Sequence, residues 1–232
     1  MTNIILMASG LGTRMRPLTE KTPKPLITVN NKPMIETIID AFNIKQDVQF
    51  YVVVGYLKEQ FEYLKEKYSN LEIIENKDYL TVNNISSIFY ALDKLKKDDC
   101  YICEADLYVS NPEILQKDLS YSCYFGKMIK GYSTDWVFDL DENNYIKRVG
   151  KIGTDSFNMA GISFFKKEDA KILAQEIKNT YHTKGYEELF WDEVVNLNLN
   201  KLKLKVFEIQ KEDIIEIDTV EELKSVRKMV EV

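Results

Sequence analysis

At 232 residues, with 37 acidic against 31 basic side chains, a formal net charge of −6 and 45% hydrophobic residues, the chain is long enough to form one large α/β domain. The acidic balance argues against general affinity for nucleic acid; no apolar run is long enough to span a bilayer, and the short first apolar stretch has no basic leader, so no membrane partner is expected and a cytoplasmic location is. Cys100, Cys103 and Cys123 make no even disulfide framework, and the lone C-x-x-C of Cys100 and Cys103 reads as two small apolar residues in a strand rather than as a zinc site.

The first run, "NIILM" (3–7), is apolar, partly β-branched and stopped by Ser9 and Gly10, which predicts a short buried strand. "FYVVVG", "LEIIEN", "CYICEAD" and "YSCYFGKM" repeat that signal. They alternate with helix-like segments: "PMIETIIDAFNI", then "LKEQFEYLKEKY" with Leu57, Phe61 and Leu64 on one face, then "NISSIFYALDKLKK". The alternation predicts βαβ units around a mixed, mostly parallel sheet in a three-layer αβα fold. From about residue 121 the rhythm changes. "WVFDLDENNYIKRVG" predicts a hairpin turning at Asn143 and Asn144, and "MAGISFF" a further strand. Helices are expected near "EDAKILAQEIKNTY", "YEELFWDEVVNL" and "TVEELKSVRKMV". Residues 1–232 therefore read as one domain, whose second part adds strands to one end of the sheet and covers a site made by the first; nothing in the pattern dictates an oligomeric state.

Behind the first strand stands "MASGLGTRMRPLTEKTPKPL" (7–26). Gly10 and Gly12 leave main-chain N–H groups free of side chains, a concavity suited to phosphate oxygens. The spelling is not a dinucleotide fingerprint, because Met15 stands where the third glycine should, and no G-K-[ST] makes it a P-loop. Arg14, Arg16, Lys21 and Lys24 supply positive charge instead. Pro23 and Pro25 restrict the backbone on both sides of Lys24, which aims its side chain.

This stretch resembles the signature of sugar-phosphate-type nucleotidyltransferases, G-x-G-T-R-x-x-P-L-T followed by P-K-P. "VGYLKEQFEYLKEKY", "NNISS", "EADLYVSNP", "STDWVF", "AGISFF", "LFWDEVV" and "IEIDTVEEL" together are similar to the bacterial choline-phosphate cytidylyltransferases, nearly end to end. The resemblance implies a Rossmann-like, GT-A-like nucleotidyltransferase fold, with residues 1–120 binding nucleotide and 121–232 binding the acceptor. It implies attack of an acceptor phosphate on the α-phosphorus of CTP, giving CDP-choline from phosphocholine and releasing pyrophosphate. Arg14 would neutralise the departing phosphates, Lys24 would lie between the α-phosphate and the incoming one, and Ala8, Ser9, Gly10, Gly12 and Thr13 would bind the nucleotide. Mg²⁺ would complete the charge balance.

Asp106 is the first metal candidate, because it closes the apolar strand "CYICEAD" and ligands bind at the carboxyl ends of parallel strands. Asp218 is the second, with an N-cap role as its alternative. Asn83, Asn84 and Ser86, at a loop-to-helix junction, could pair with a pyrimidine edge or cap the helix. A choline head cannot donate hydrogen bonds and requires aromatic faces with a carboxylate nearby. Trp136, Phe190, Trp191 and Asp192 offer them, with Tyr132 and Tyr186 as further candidates. Glu104, two residues before Asp106, should face the same way.

"MASG" and "EAD" depart from the wider family's spelling without removing a needed charge, and the E-K-P segment of sugar enzymes is absent. Lys151 and Asn158 are polar groups that a purely cationic cage would not demand. Acceptors such as 2-aminoethylphosphonate, another small phospho-amine or a sugar 1-phosphate therefore stand as alternatives, as does a non-catalytic nucleotide-binding subunit.

Overall fold

The computed structural model describes residues 1–230; Glu231 and Val232, the last two residues of the expected domain, lie outside the described residues. β1 (Thr2–Ala8) leads into a loop carrying three single 3-10 turns, then a minimal hairpin of β2 (Thr28–Val29) and β3 (Lys32–Pro33), and α1 (Met34–Asn43). β4 (Val48–Val54), α2 (Tyr63–Lys67), β5 (Leu71–Glu75), α3 (Ile85–Tyr90), α4 (Leu92–Leu95) and β6 (Asp99–Glu104) complete the first part. β7 (Leu107–Val109), α5 (Glu113–Gln116), the long β8 (Cys123–Leu140) and β9 (Ile146–Phe165), α6 (Lys167–Thr180), α7 (Trp191–Leu197), β10 (Lys205–Glu208), β11 (Ile214–Glu216) and α8 (Val220–Val230) follow.

Seven strands form one sheet in the order β10-β8-β9-β6-β1-β4-β5. Only β9 runs against its neighbours in this sheet, so it is mixed and mostly parallel, as expected. β1 lies between β4 and β6, where a strand is buried on both faces; residues 4–8 are apolar, and the buried Asn3 donates through Nδ2 to the Lys94 carbonyl at 2.7 Å. Its side chains alternate: Ile4 and Leu6 enter one core with α1, and Ile5 enters the other with α3, α6 and α7. Helix α1 offers Ile35, Ile38, Ile39 and Phe42, one stripe at helical spacing and all fully buried. Cys100 and Cys103 fall in opposite cores, as small apolar residues of a strand should, and all three cysteines are free and buried.

Several elements depart from the expected boundaries for local reasons. The segment 57–68 is a 3-10 turn, Lys58–Phe61, followed by α2, because Leu57 takes a left-handed φ of 48° that no α-helix contains. Phe61 and Leu64 are nonetheless its buried face. The segment 84–97 breaks at Ala91 into α3 and α4. β8 and β9 run continuously through the expected hairpin, with Asn143 and Asn144 in its turn, and absorb several register shifts along their length.

A second, two-stranded sheet pairs β7 with β11 antiparallel, Leu107 opposite Glu216. A third apolar cluster docks α8, through Leu223 and Val226, onto Met15, Ile27, Val29 and Met34. These two contacts carry the C-terminal segment back to the first loop. Among the described residues no helix is long and apolar enough to cross a membrane.

Phe42 is fully buried with its ring 4.7 Å from that of Tyr101. Phe42→Ala is expected to lower stability by about 3–5 kcal/mol, measured as a shift of the urea unfolding midpoint.

Candidate active site

The glycine loop leaves β1 at Ala8 and doubles back on itself. Gly12 has φ +60°, and a Cβ there would meet Lys24 Cβ and Thr19 Cγ2, each at 3.0 Å. The Thr19 hydroxyl donates to the Gly12 carbonyl at 2.8 Å, which locks the return. Lys24, in the turn Lys24–Leu26, is thereby laid against Gly12 and is only 7% exposed. Its Nζ donates to Asp106 Oδ2 and Asp218 Oδ1, both at 2.6 Å. Arg14, an exposed side chain, donates through Nη2 to the same Asp218 oxygen at 2.7 Å. Burial works to lower the Lys24 pKa, but Asp106 and Asp218 outweigh it and hold the ammonium above its ordinary value.

The carboxylates come as two Glu-x-Asp pairs. Glu104 ends β6 with Asp106 two residues on, and Glu216 ends β11 with Asp218 two residues on. The Ile217 N–H donates to the Asp106 carbonyl at 3.3 Å, tying the pairs together. Carboxylate oxygens of Glu104, Asp106 and Glu216 lie within 4.8 Å of one another. Asp106 Oδ1 is buried without a hydrogen-bond partner. A cluster of hard oxygens with one buried oxygen unsatisfied fits a divalent cation. Burial, followed by the Asp106 and Glu216 charges, pushes Glu104 well above the carboxylate range. Glu216 is raised in the same way, by loss of solvent and then by Asp106 and Asp218. In Asp218 burial opposes ionisation, but Lys24 and Arg14 prevail and its pKa is lowered.

Asp218 does not cap α8. Thr219 Oγ1 accepts the Glu222 N–H at 3.2 Å, while Glu222 Oε2 accepts the N–H groups of Asp218 and Thr219, each at 2.8 Å. That capping box leaves the Asp218 carboxylate to the cations. Glu216 is the acidic residue that sequence reasoning missed; its signal is the repeat of the Glu-x-Asp spacing, 104 and 106 against 216 and 218.

A cleft of about 470 Å³ opens over this cluster. Ala8, Ser9, Gly10, Gly12, Thr13, Arg14 and Lys24 line one side, Glu104, Asp106 and Asp218 the floor, and Asn83, Asn84 and Ser86 the far wall. The far wall also serves the fold. Asn83 Nδ2 donates to the Glu188 carbonyl at 3.1 Å, Asn84 Oδ1 accepts the Trp191 N–H at 3.0 Å, and the Ser86 hydroxyl donates to the Asn83 carbonyl at 2.8 Å. Tyr79 and Ser87 line the cleft as well and were not anticipated. Gly55 makes room for Tyr79, since a Cβ there would lie 2.6 Å from the Tyr79 ring.

The expected aromatic cage is not assembled as one unit, and Phe190 and Trp191 are not both helical. Phe190 precedes α7 in extended backbone, its N–H received by Glu193 Oε2 at 2.8 Å. Trp136 meets Phe190 at 5.4 Å and 64°, outside the lining of the cleft. Trp191, only 3% exposed, instead stacks on Tyr124 at 5.8 Å, with its Nε1 unpaired. Asp192 is 2% exposed and accepts from the Tyr124 hydroxyl at 3.0 Å. Trp191 and Asp192 therefore belong to the core, not to an open cation-binding face, because the apolar side of α7 is turned inward with Val194 and Val195. Tyr132 is exposed at 67%, and Tyr186 packs on Tyr181. Asn158 Nδ2 donates to Ser133 Oγ at 2.7 Å and to Asp135 Oδ2 at 3.1 Å.

The fold around this cleft is that of the nucleotidyltransferases. Residues 3–127 match the nucleotidyl transferase family, and the chain belongs to it. A 2-aminoethylphosphonate cytidylyltransferase of Lancefieldella rimae is 50% identical over 222 residues, 96% of this chain and 90% of that protein. A choline-phosphate cytidylyltransferase of Streptococcus pneumoniae is 32% identical over 226 residues, 97% of each chain. The solved CTP:phosphocholine cytidylyltransferase from Streptococcus pneumoniae superposes with a TM-score of 0.90 at 32% identity, covering 99% of both chains.

Two substitution experiments follow from this geometry. A Cβ at Gly10 meets nothing within 4 Å, so Gly10→Ala is expected to leave the melting temperature near that of the wild type. Gly12→Ala, at positive φ and against Lys24 and Thr19, should cost about 1–3 kcal/mol, compared by thermal unfolding. Asp192 is raised by burial to about 7, against about 3.9 in an unfolded chain. The stability it confers is full below the unfolded value and is lost as pH rises through about 7. Asp192→Asn removes that loss. The variant should gain on the wild type between pH 5 and pH 8, by about 3 kcal/mol at most, read from denaturant midpoints.

Proposed function

We propose that the protein transfers CMP from CTP to an oxygen of a small phosphorylated or phosphonylated amine, with 2-aminoethylphosphonate as the preferred acceptor. The observation that carries the transfer chemistry is the Lys24 ammonium, buried beside the glycine loop and shared between Asp106 and Asp218. An acceptor oxygen attacks the α-phosphorus of CTP; a P–O bond forms there, the α–β bridging P–O bond breaks, and pyrophosphate leaves with the electron pair. The attacking group is already ionised, so the protein's task is to bring anions together and hold them in line. In this reading Gly10, Gly12, Ala8 and Ser9 present main-chain amides to the nucleotide. Lys24 sits between the reacting phosphorus centres, and Arg14 meets the departing phosphates with its planar fork.

Asp106 and Asp218, flanked by Glu104 and Glu216, would hold Mg²⁺, which when bound supplies countercharge to the triphosphate. Asn83, Asn84 and Ser86 are assigned to the cytosine edge. Two lines of support favour the aminoalkyl phosphonate: the 50% identity to a 2-aminoethylphosphonate enzyme over 96% of this chain, and an acidic floor of the kind a primary ammonium can donate to. Phosphocholine is the second reading, favoured by the Trp136–Phe190 pair and by the Streptococcus pneumoniae relatives.

The test is pyrophosphate release with Mg²⁺ and each of CTP, UTP, GTP and dTTP, paired with 2-aminoethylphosphonate, phosphocholine, phosphoethanolamine and glucose 1-phosphate. Turnover is expected with CTP and 2-aminoethylphosphonate at the highest kcat/KM, and silence with every CTP pairing would overturn the reading. Lys24→Ala and Asp106→Ala should each lower kcat by about 10²–10³-fold while the far-ultraviolet dichroism stays that of the folded protein.

A further inference from the structure

The corner formed by Trp136 and Phe190 already holds a cation. Lys151 Nζ lies 5.6 Å from the Trp136 ring centroid and 5.1 Å from that of Phe190, inside the range of a cation–π contact with both. Among the described residues Lys151 makes no ion pair with any carboxylate, so the two rings are the electrostatic partners of its ammonium.

Its position is built into the backbone. Lys151 stands directly opposite Trp136 in the β8–β9 ladder, and cross-strand neighbours are held side by side. Arg148 then pins the strand from its own side. Its Nη1 donates to the Lys151 carbonyl at 3.2 Å and its Nη2 to the Ile152 carbonyl at 2.9 Å. The same guanidinium is anchored on Asp139 through two hydrogen bonds of 2.6 and 3.1 Å. Ile152, β-branched and 53% exposed, is held at φ +70°, a conformation that such a residue adopts only where its surroundings impose it. Gly150 leaves the space that the clamp needs, since a Cβ there would lie 2.8 Å from Arg148 Nη1.

We propose that Lys151 is a built-in occupant of the Trp136–Phe190 corner, beside rather than within the cleft lining, and that it denies this corner to a quaternary ammonium head and so disfavours such acceptors against primary amines. A trimethylammonium head has no N–H to donate and binds through aromatic faces alone. To use this corner it must expel a like charge from it. A primary ammonium needs hydrogen-bond acceptors instead and has no need of the two rings that Lys151 occupies. Lys151 is thus a specificity-determining residue that acts by repulsion of the wrong acceptor. The inference rests on the proposed transfer to a small amine, and its test separates the two.

Wild type, Lys151→Ala and Lys151→Arg are compared for kcat/KM with CTP and either phosphocholine or 2-aminoethylphosphonate. Tetramethylammonium is titrated against each variant by tryptophan fluorescence, with Trp136→Phe added to assign the signal. Lys151→Ala should raise the phosphocholine over 2-aminoethylphosphonate ratio at least tenfold, through a lower phosphocholine KM, whereas Lys151→Arg keeps the wild-type ratio. Tetramethylammonium should bind Lys151→Ala at least tenfold more tightly than wild type, with a response that Trp136→Phe abolishes. An unchanged acceptor ratio, or equal tetramethylammonium affinity in wild type and Lys151→Ala, overturns the proposal. An enzyme silent with both acceptors would sink the transfer reading, and the titration alone would then decide for or against Lys151.

Discussion

The site depends on one ammonium group. Lys24 Nζ is shared between Asp106 and Asp218, which lie 82 and 194 residues further along the chain, so a single atom fastens the first loop to the end of β6 and to the C-terminal segment. Burying such a group is costly unless its partners are also held in place. The two prolines and the Gly12 contact fix Lys24 on one side, while the paired Glu-x-Asp turns fix the carboxylates on the other. Buried ion pairs are weak evidence of stability; beside a cleft of about 470 Å³, the proposed transfer would use this cation as preorganisation for charge that arrives with a ligand.

The rest of the architecture follows from the need to bring those carboxylates to that loop. A central parallel strand must be apolar on both faces, and β1 is, which places its carboxyl end and the glycine loop at the rim of the sheet. Asp106 arrives with the neighbouring strand. Asp218 needs a separate device, because β11 is not part of the large sheet. The β7–β11 pairing and the docking of Leu223 and Val226 on the first loop supply it, so the C-terminal helix completes the site by packing rather than by sheet order.

This division also explains what could be read from the chain in advance. The strand–loop–helix alternation, the glycine loop, Arg14, Lys24 and Asp106 were legible because glycine, proline and an apolar run act locally on the backbone. Glu216 was not, since three residues of β11 show no period of their own and gain their meaning from a partner strand more than 100 positions earlier in the chain. Trp191 and Asp192 were legible as residue types but not by location: in a helix of 7 residues, a bulky aromatic and a carboxylate look alike whether turned to solvent or to the core. The Lys151–Trp136 pairing lies beyond local reading for another reason. It depends on ladder register, which the bulges along β8 and β9 reset several times.

The charges in the cleft explain one another. Four carboxylates, Glu104, Asp106, Glu216 and Asp218, face two cations, Lys24 and Arg14. Asp218, touched by Lys24 and Arg14, is held below its ordinary pKa, whereas Glu104 and Glu216 are raised by burial and then by neighbouring carboxylates, against a weaker opposing pull from Lys24. A divalent cation at Asp106 would reverse the local balance and lower both pKa values. The same wall that repels a bare triphosphate would then accept one together with its counterion, while the carboxylates left over remain acceptors for an ammonium group. In the proposed reading, Arg14, Lys24 and the loop amides would meet the anion while the repeated Glu-x-Asp carboxylates would hold its counterion, so the cleft sets a basic loop against an acidic floor.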